Sequence, residues 1–113
     1  MITIYHNPRC GKSRECLAFL ETSNQTFEVV KYLENPLNFK EISEIVRKLK
    51  INPIELIRTK EAIWVEKYKG NNLSDKEIIQ TMVDHPILME RPIAVYGEKA
   101  VLARPLEKIT EIL

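Results

Sequence analysis

The sequence has no excess of charge of either sign. Seventeen lysines and arginines stand against sixteen aspartates and glutamates, a formal net charge of +1. Nucleic acid and anionic membranes both select for a basic surplus, so neither is expected as a partner. No apolar run approaches the 18 or so residues that a membrane helix needs. The opening Met1-Ile2-Thr3-Ile4-Tyr5-His6 lacks the basic region and long apolar stretch of an export signal, and reads as a strand that starts at once. Cysteine is scarce: Cys10 and Cys16 are too few for a disulfide scaffold. Without an export signal the expected compartment is the reducing cytoplasm, with both thiols free at rest. There is no internal repeat, linker or low-complexity segment. What remains is an ordinary soluble composition, 44% hydrophobic and 29% charged, over 113 residues. That length fits a single domain, 1–113.

Ile2 to His6 alternates apolar and polar residues, as a short strand does. Asn7-Pro8-Arg9-Cys10-Gly11 is a loop. From about Lys12 to Glu21, Cys16, Leu17, Phe19 and Leu20 follow helical spacing. Phe27 to Tyr32 is β-branched and aromatic, a second strand. Strand, helix and strand form a βαβ unit with parallel pairing. Several helices follow. Ile42, Ile45, Val46 and Leu49 mark an amphipathic one. Asn52-Pro53 opens a short one carrying Ile54, Leu56, Ile57 and Arg58. Glu61 to Tyr68 is another, and Ser74-Asp75-Lys76-Glu77 is a capping box for a fourth. Pro92 to Tyr96 and Ala100 to Ala103, joined by a turn at Gly97-Glu98-Lys99, read as a hairpin. Arg104-Pro105 then starts a closing helix, with Pro at its first position. The fold class is α/β: a thioredoxin-like mixed sheet, βαβ…ββα, with a helical insertion after the second strand.

Cys10 sits at or just before a helix start. Unpaired N–H groups and the positive end of the helix dipole favour a thiolate there, and the thiolate is the nucleophile. His6, Arg9, Lys12 and Arg14 surround it with no acid between Met1 and Arg14, so all four are expected to lower its pKa. The same N–H groups can bind an anion beside the sulfur. Cys16, on the apolar side of the helix, reads as core. Ser13 occupies the place of a resolving cysteine in a C-x-x-C motif, so turnover needs an outside thiol. The spacing C-x5-R of phosphatase-type loops is absent, because its arginine position holds Cys16. Thioredoxin-like folds set a cis-proline opposite the cysteine loop. Pro92 is the candidate, and it brings Arg91 toward Cys10. Arg104, at the end of the neighbouring strand, can join it. Guanidinium is the best bidentate partner for a tetrahedral oxyanion. No metal site is read in the chain.

His6-Asn7-Pro8-Arg9-Cys10-Gly11-Lys12-Ser13-Arg14 resembles the H-x3-C-x3-R signature of the glutaredoxin-coupled arsenate reductases, the thioredoxin-like type. Tyr32-Leu33-Glu34-Asn35-Pro36, His85-Pro86-Ile87-Leu88 and Glu90-Arg91-Pro92-Ile93 resemble later segments of the same family. The resemblance covers essentially the whole chain. The basic Arg9 and Lys12 make it more similar to the chromosomal arsenate-reductase-like branch than to the plasmid type. The resemblance implies that Cys10 attacks arsenate and that glutathione, a co-substrate rather than a bound cofactor, displaces arsenite. Glutaredoxin then reduces the mixed disulfide left on Cys10. It also implies that Arg58, Arg91 and Arg104 form an oxyanion triad, that His6 helps to hold the thiolate, and that Ser13 hydrogen-bonds near it. Two other readings keep the fold. One is a reductase for a different thiol or oxyanion substrate. The other is a regulator similar to the Spx proteins, which bind RNA polymerase and often carry a C-x-x-C switch that Ser13 breaks here.

Overall fold

The structure, a computed structural model, describes all 113 residues. Its chain divides into two compact units, Met1–Asn35 with Arg91–Leu113, and Pro36–Glu90.

The first unit is built on a four-stranded sheet. Strand β1 (Ile2–Tyr5) buries Ile2 and Ile4 fully and leaves Thr3 and Tyr5 partly exposed, as the pleat requires. It pairs in parallel with β2 (Phe27–Val30), and helix α1 (Gly11–Thr22) makes the crossover. Strand β3 (Ile93–Tyr96) pairs antiparallel with β1, and β4 (Lys99–Leu102) antiparallel with β3. The order is β2-β1-β3-β4, the mixed thioredoxin-like sheet. Gly97, at φ +61°, opens the two-residue hairpin turn, a backbone region that glycine enters without a Cβ clash. Cys16 and Leu20 of α1 share one buried cluster with Ile2, Ile4, Ala94, Val101, Ile109 and Ile112. Burying each large aliphatic side chain in it is worth roughly 1.5–3 kcal/mol. That core fixes where β1 ends and α1 begins, and the chain between them is the Cys10 loop.

The second unit is helical. Asn38 caps α2 (Phe39–Leu49) in a capping box with Glu41. Ser74 does the same with Glu77 for α4 (Asp75–Asp84). Helix α3 (Ala62–Lys67) and two 3₁₀ turns, Pro53–Leu56 and Pro86–Leu88, complete it. Helices α2 and α4 pack together, and α4 touches both 3₁₀ turns. No helix in the chain is long and apolar enough to cross a membrane.

Several expected boundaries move. Strand β2 stops at Val30, because the N–H groups of Glu34 and Asn35 both donate to the Lys31 carbonyl and turn the chain. Tyr32 is buried but unassociated with the sheet, so its apolar signal reflected burial and not pairing. The helix at Asn52-Pro53 is a single 3₁₀ turn, and Ile57 leaves it to bridge Met89. Arg58 therefore follows an extended bridge and does not end a helix. The hairpin turn is two residues long, since Lys99 pairs with Tyr96. The closing helix is 3₁₀, Leu106–Glu111, with Pro105 as its extended cap (ψ 165°) and not its first helical residue. Both Arg91-Pro92 and Arg104-Pro105 are cis.

Candidate active site

Cys10 is the N-cap residue of α1, with extended backbone (φ −96°, ψ 123°). Its N–H donates to the Asn7 carbonyl (3.0 Å), and its own carbonyl accepts the first intrahelical bond, from Arg14 N–H (3.0 Å). The residue is only 9% exposed. Burial alone raises a thiol's pKa. Here it is outweighed by the favourable electrostatics of the Ser13 backbone N–H, the Arg91 guanidinium and its charge, and the Lys12 N–H, although the sulfur makes no formed cap bond at the helix start. The net result is a pKa below the ordinary thiol value. The first turn of α1 contains no acid to oppose this.

The sheet explains why Arg91 is there. Ile93 lies opposite Tyr5, so the chain entering β3 passes the chain leaving β1. Arg91 Nε and Nη1 are buried and have no hydrogen-bond partner. Two orphan cationic donors beside a thiolate are costly unless an anion fills the space between them. Arg104 lies across the hairpin, where its Nη1 donates to the Arg91 carbonyl (3.2 Å).

His6 and Ser13 are buried beneath the loop. Nδ1 of His6 lies 2.7 Å from Ser13 Oγ, and Ser13 Oγ also accepts the Asn7 N–H (3.0 Å). Burial, followed by the charge of Lys31, holds the His6 pKa below its ordinary 6.5 against the hydrogen bonding from Ser13. His6 is thus a neutral ring joined to Ser13. The Ser13 hydroxyl is engaged by His6 and the Asn7 N–H, and it is the Ser13 backbone N–H that lowers the thiol's pKa.

The four loop residues expected to acidify the thiol are placed differently from one another. His6 favours the neutral form. Arg14 donates from Nη1 to the Pro8 carbonyl (3.1 Å). Lys12 acts on the sulfur through its backbone N–H, while its Nζ stands 3.9 Å from Glu15. Arg9 is exposed, and neither Arg9 nor Arg14 figures among the causes of the thiol's shift. Arg91, from a distant part of the sequence, is a cation that lowers the thiol's pKa.

Arg58 belongs to the second unit. Its Nε lies 3.5 Å from Glu90 and its Nη1 3.9 Å from Glu61, and its N–H donates to the Leu88 carbonyl (2.7 Å). With Glu55, Ile57, Thr59, Lys60 and Glu90 it lines an open cavity of about 310 Å³. No group of three or more His, Cys, Asp or Glu side chains is placed to hold a metal. Two residues of the Cys10 loop region were not singled out in sequence, Asn7 and Lys31. The Asn-Pro dipeptide, a turn signal, could have pointed to the first. Nothing local points to the second.

A model of the ArsC family matches residues 5–112. The chain belongs to the ArsC family. Within it, the chain is 40% identical over 114 residues to an arsenate reductase of Neisseria meningitidis serogroup B, an alignment covering 99% of this chain and 97% of the relative. It is 44% identical to the uncharacterised protein YfgD of Escherichia coli K12, over 99% and 96% of the two chains. The solved structure of an arsenate reductase from Vibrio cholerae superposes with a TM-score of 0.94 at 40% identity, over 99% of this chain and 97% of that one. That structure shares this fold along nearly its whole length.

Proposed function

We propose that this protein reduces arsenate to arsenite through a covalent adduct on Cys10, with glutathione and glutaredoxin as the reductants. The observation that carries the reading is the pairing of an acidified thiol with a guanidinium whose Nε and Nη1 have no protein partner. A tetrahedral oxyanion is the ligand such a pair suits. Its relatives in the ArsC family, including those named arsenate reductases, support arsenate as that oxyanion.

The steps balance as follows. The Cys10 thiolate attacks arsenic(V). A sulfur–arsenic bond forms, an arsenic–oxygen bond breaks, and the oxygen leaves as water after protonation. Glutathione thiolate then attacks the Cys10 sulfur. The sulfur–arsenic pair stays on arsenic, which departs as arsenite in the +3 state, and a Cys10–glutathione disulfide remains. A glutaredoxin thiolate attacks the glutathione sulfur and releases Cys10 as thiolate. Two thiols are oxidised and one arsenic is reduced by two electrons.

In this scheme Arg91 binds the oxyanion, Arg104 holds the Arg91 backbone and adds charge, and the first-turn N–H groups of α1 stabilise the thiolate. His6 and Ser13 keep the loop in place. Arg58 enters as the third member of the clamp on the family resemblance alone. Ser13 in the resolving position makes an external thiol necessary, and such a cycle suits a reducing compartment such as the cytoplasm. The test is arsenate-dependent NADPH oxidation in the presence of glutathione, glutaredoxin and glutathione reductase, beside a Cys10→Ser control. A rate that needs arsenate and Cys10 is expected. No rate above background, with Cys10 titrating as a free thiol, sinks the reading. Activity on a glutathionylated peptide and none on arsenate shifts the substrate instead.

A further inference from the structure

We propose that Asn7 is a positioning residue for the reacting thiol: three of its polar groups tie Arg9, Cys10 and Ser13 into one rigid turn that aims the start of α1 at the sulfur. The proposal rests on Cys10 being the working group and deepens that reading.

Asn7 is 3% exposed, one of only four buried polar residues in the chain, and three of those four (His6, Asn7 and Ser13) are in this loop or in the first turn of α1 that follows it. Its side-chain Oδ1 accepts the Arg9 N–H (3.0 Å), an Asx turn. Its carbonyl accepts the Cys10 N–H (3.0 Å). Its own N–H donates to Ser13 Oγ (3.0 Å). Pro8 has no N–H, so every backbone donor from Asn7 to Cys10 is satisfied by an Asn7 contact. The consequence is a division of labour. The Cys10 N–H is occupied within the turn, and the backbone N–H groups that act on the sulfur are those of Lys12 and Ser13. Ser13 is held on its other side by the Asn7 N–H, so one residue fixes both the thiol's backbone and the donor that faces it. Of the three bonds only the one from Oδ1 depends on the side chain. Pro8 presets one backbone angle of the turn, and Oδ1 closes it.

The side chain can therefore be removed while both backbone contacts remain possible. Asn7→Ala leaves the Arg9 N–H without its acceptor and loosens the turn. The midpoint of Cys10 alkylation by iodoacetamide against pH is expected to rise by half a pH unit or more. In the coupled assay kcat should fall about tenfold, the size of one lost hydrogen bond, with KM changed by less than about threefold. Asn7→Ser, which keeps a side-chain oxygen able to accept the same N–H, should recover part of both losses. The alkylation profile needs no substrate, so it stands whether or not arsenate is the oxyanion. A wild-type alkylation profile in folded Asn7→Ala overturns the proposal, as does an unshifted kcat where the coupled assay is active. If Asn7→Ala does not fold, Asn7→Ser is read alone: a midpoint above wild type is expected, and a wild-type midpoint overturns the proposal.

Discussion

The two cysteines of this chain lie six residues apart and have opposite chemistry. Cys10 caps α1, where N–H groups and Arg91 outweigh its burial and lower its pKa. Cys16 lies on the buried face of the same helix, 0% exposed among Ile2, Ile4 and Leu20, and burial alone pushes its pKa up to about 11. Both thiols are buried, so burial does not distinguish them. The difference is what each sulfur faces: hydrogen-bond donors and a cation in one case, hydrocarbon in the other. Reactivity in this unit is set by the donors at a helix end and by one residue delivered across the sheet.

The largest predicted effect separates the two thiols by function. Cys10→Ser is expected to lower coupled arsenate turnover by about 10³-fold or more, because no other group can form the adduct. Cys16→Ala should leave turnover within about twofold. Next comes the origin of the acidity. Arg91→Ala removes the cation and two buried donors, so KM for arsenate should rise roughly 10–100-fold, as for loss of charge-assisted bonds of about 1.5–3 kcal/mol, and the Cys10 alkylation midpoint should rise with it. Arg91→Lys should restore the midpoint better than the KM, since lysine keeps the charge and loses the planar fork.

The third effect concerns stability. Cys16→Ala should cost about 1 kcal/mol in denaturant unfolding, the scale of deleting one buried heavy atom. Its pH dependence has a defined sign. The folded pKa of Cys16 lies above the unfolded value of 9.0, so its neutral form stabilises the fold fully below 9.0, and that contribution is lost as pH rises through about 11. Cys10 runs the other way. Its folded pKa is depressed, so its contribution is present above 9.0 and is lost as pH falls through the folded value. Unfolding free energies of Cys10→Ala and Cys16→Ala measured from pH 7 to 11 should therefore diverge from wild type in opposite directions at the alkaline end. The smallest effect belongs to the exposed loop charge: Arg9→Gln should move the Cys10 midpoint by less than about 0.2 pH unit, since screened surface charges contribute little.

Much of this contrast could be read in the sequence. The Pro/Gly loop before a helical run placed Cys10 at a helix start, and the apolar spacing placed Cys16 in the core. The strands, the Ser74 capping box and the sheet's mixed character were also legible, because period and cap chemistry are local. The source of the thiol's acidity was legible in part: the helix-start N–H groups and Arg91 were read, and the loop side chains were read as adding to them. Arg9, Lys12 and Arg14 are neighbours of Cys10 in sequence, yet backbone geometry sends Arg14 to the Pro8 carbonyl and Lys12 toward Glu15. His6 looked like a cation and is a buried neutral ring, because burial cannot be seen in a residue type. The role of Asn7 was hidden for a related reason: an asparagine in a loop announces a turn and does not say which three groups it will hold. The extents of β2 and of the closing helix were misjudged where Tyr32 and Pro105 carried signals of burial and of backbone angle, and tertiary context used them differently.

The claim that one thiol works alone, with an outside partner, has a direct measurement. The protein is incubated with arsenate and glutathione in the absence of glutaredoxin and then mapped by peptide mass spectrometry. The account predicts one glutathione on Cys10, arsenate-dependent and stoichiometric, with Cys16 unmodified. A Cys10–Cys16 disulfide, or glutathione carried on Cys16, would contradict it.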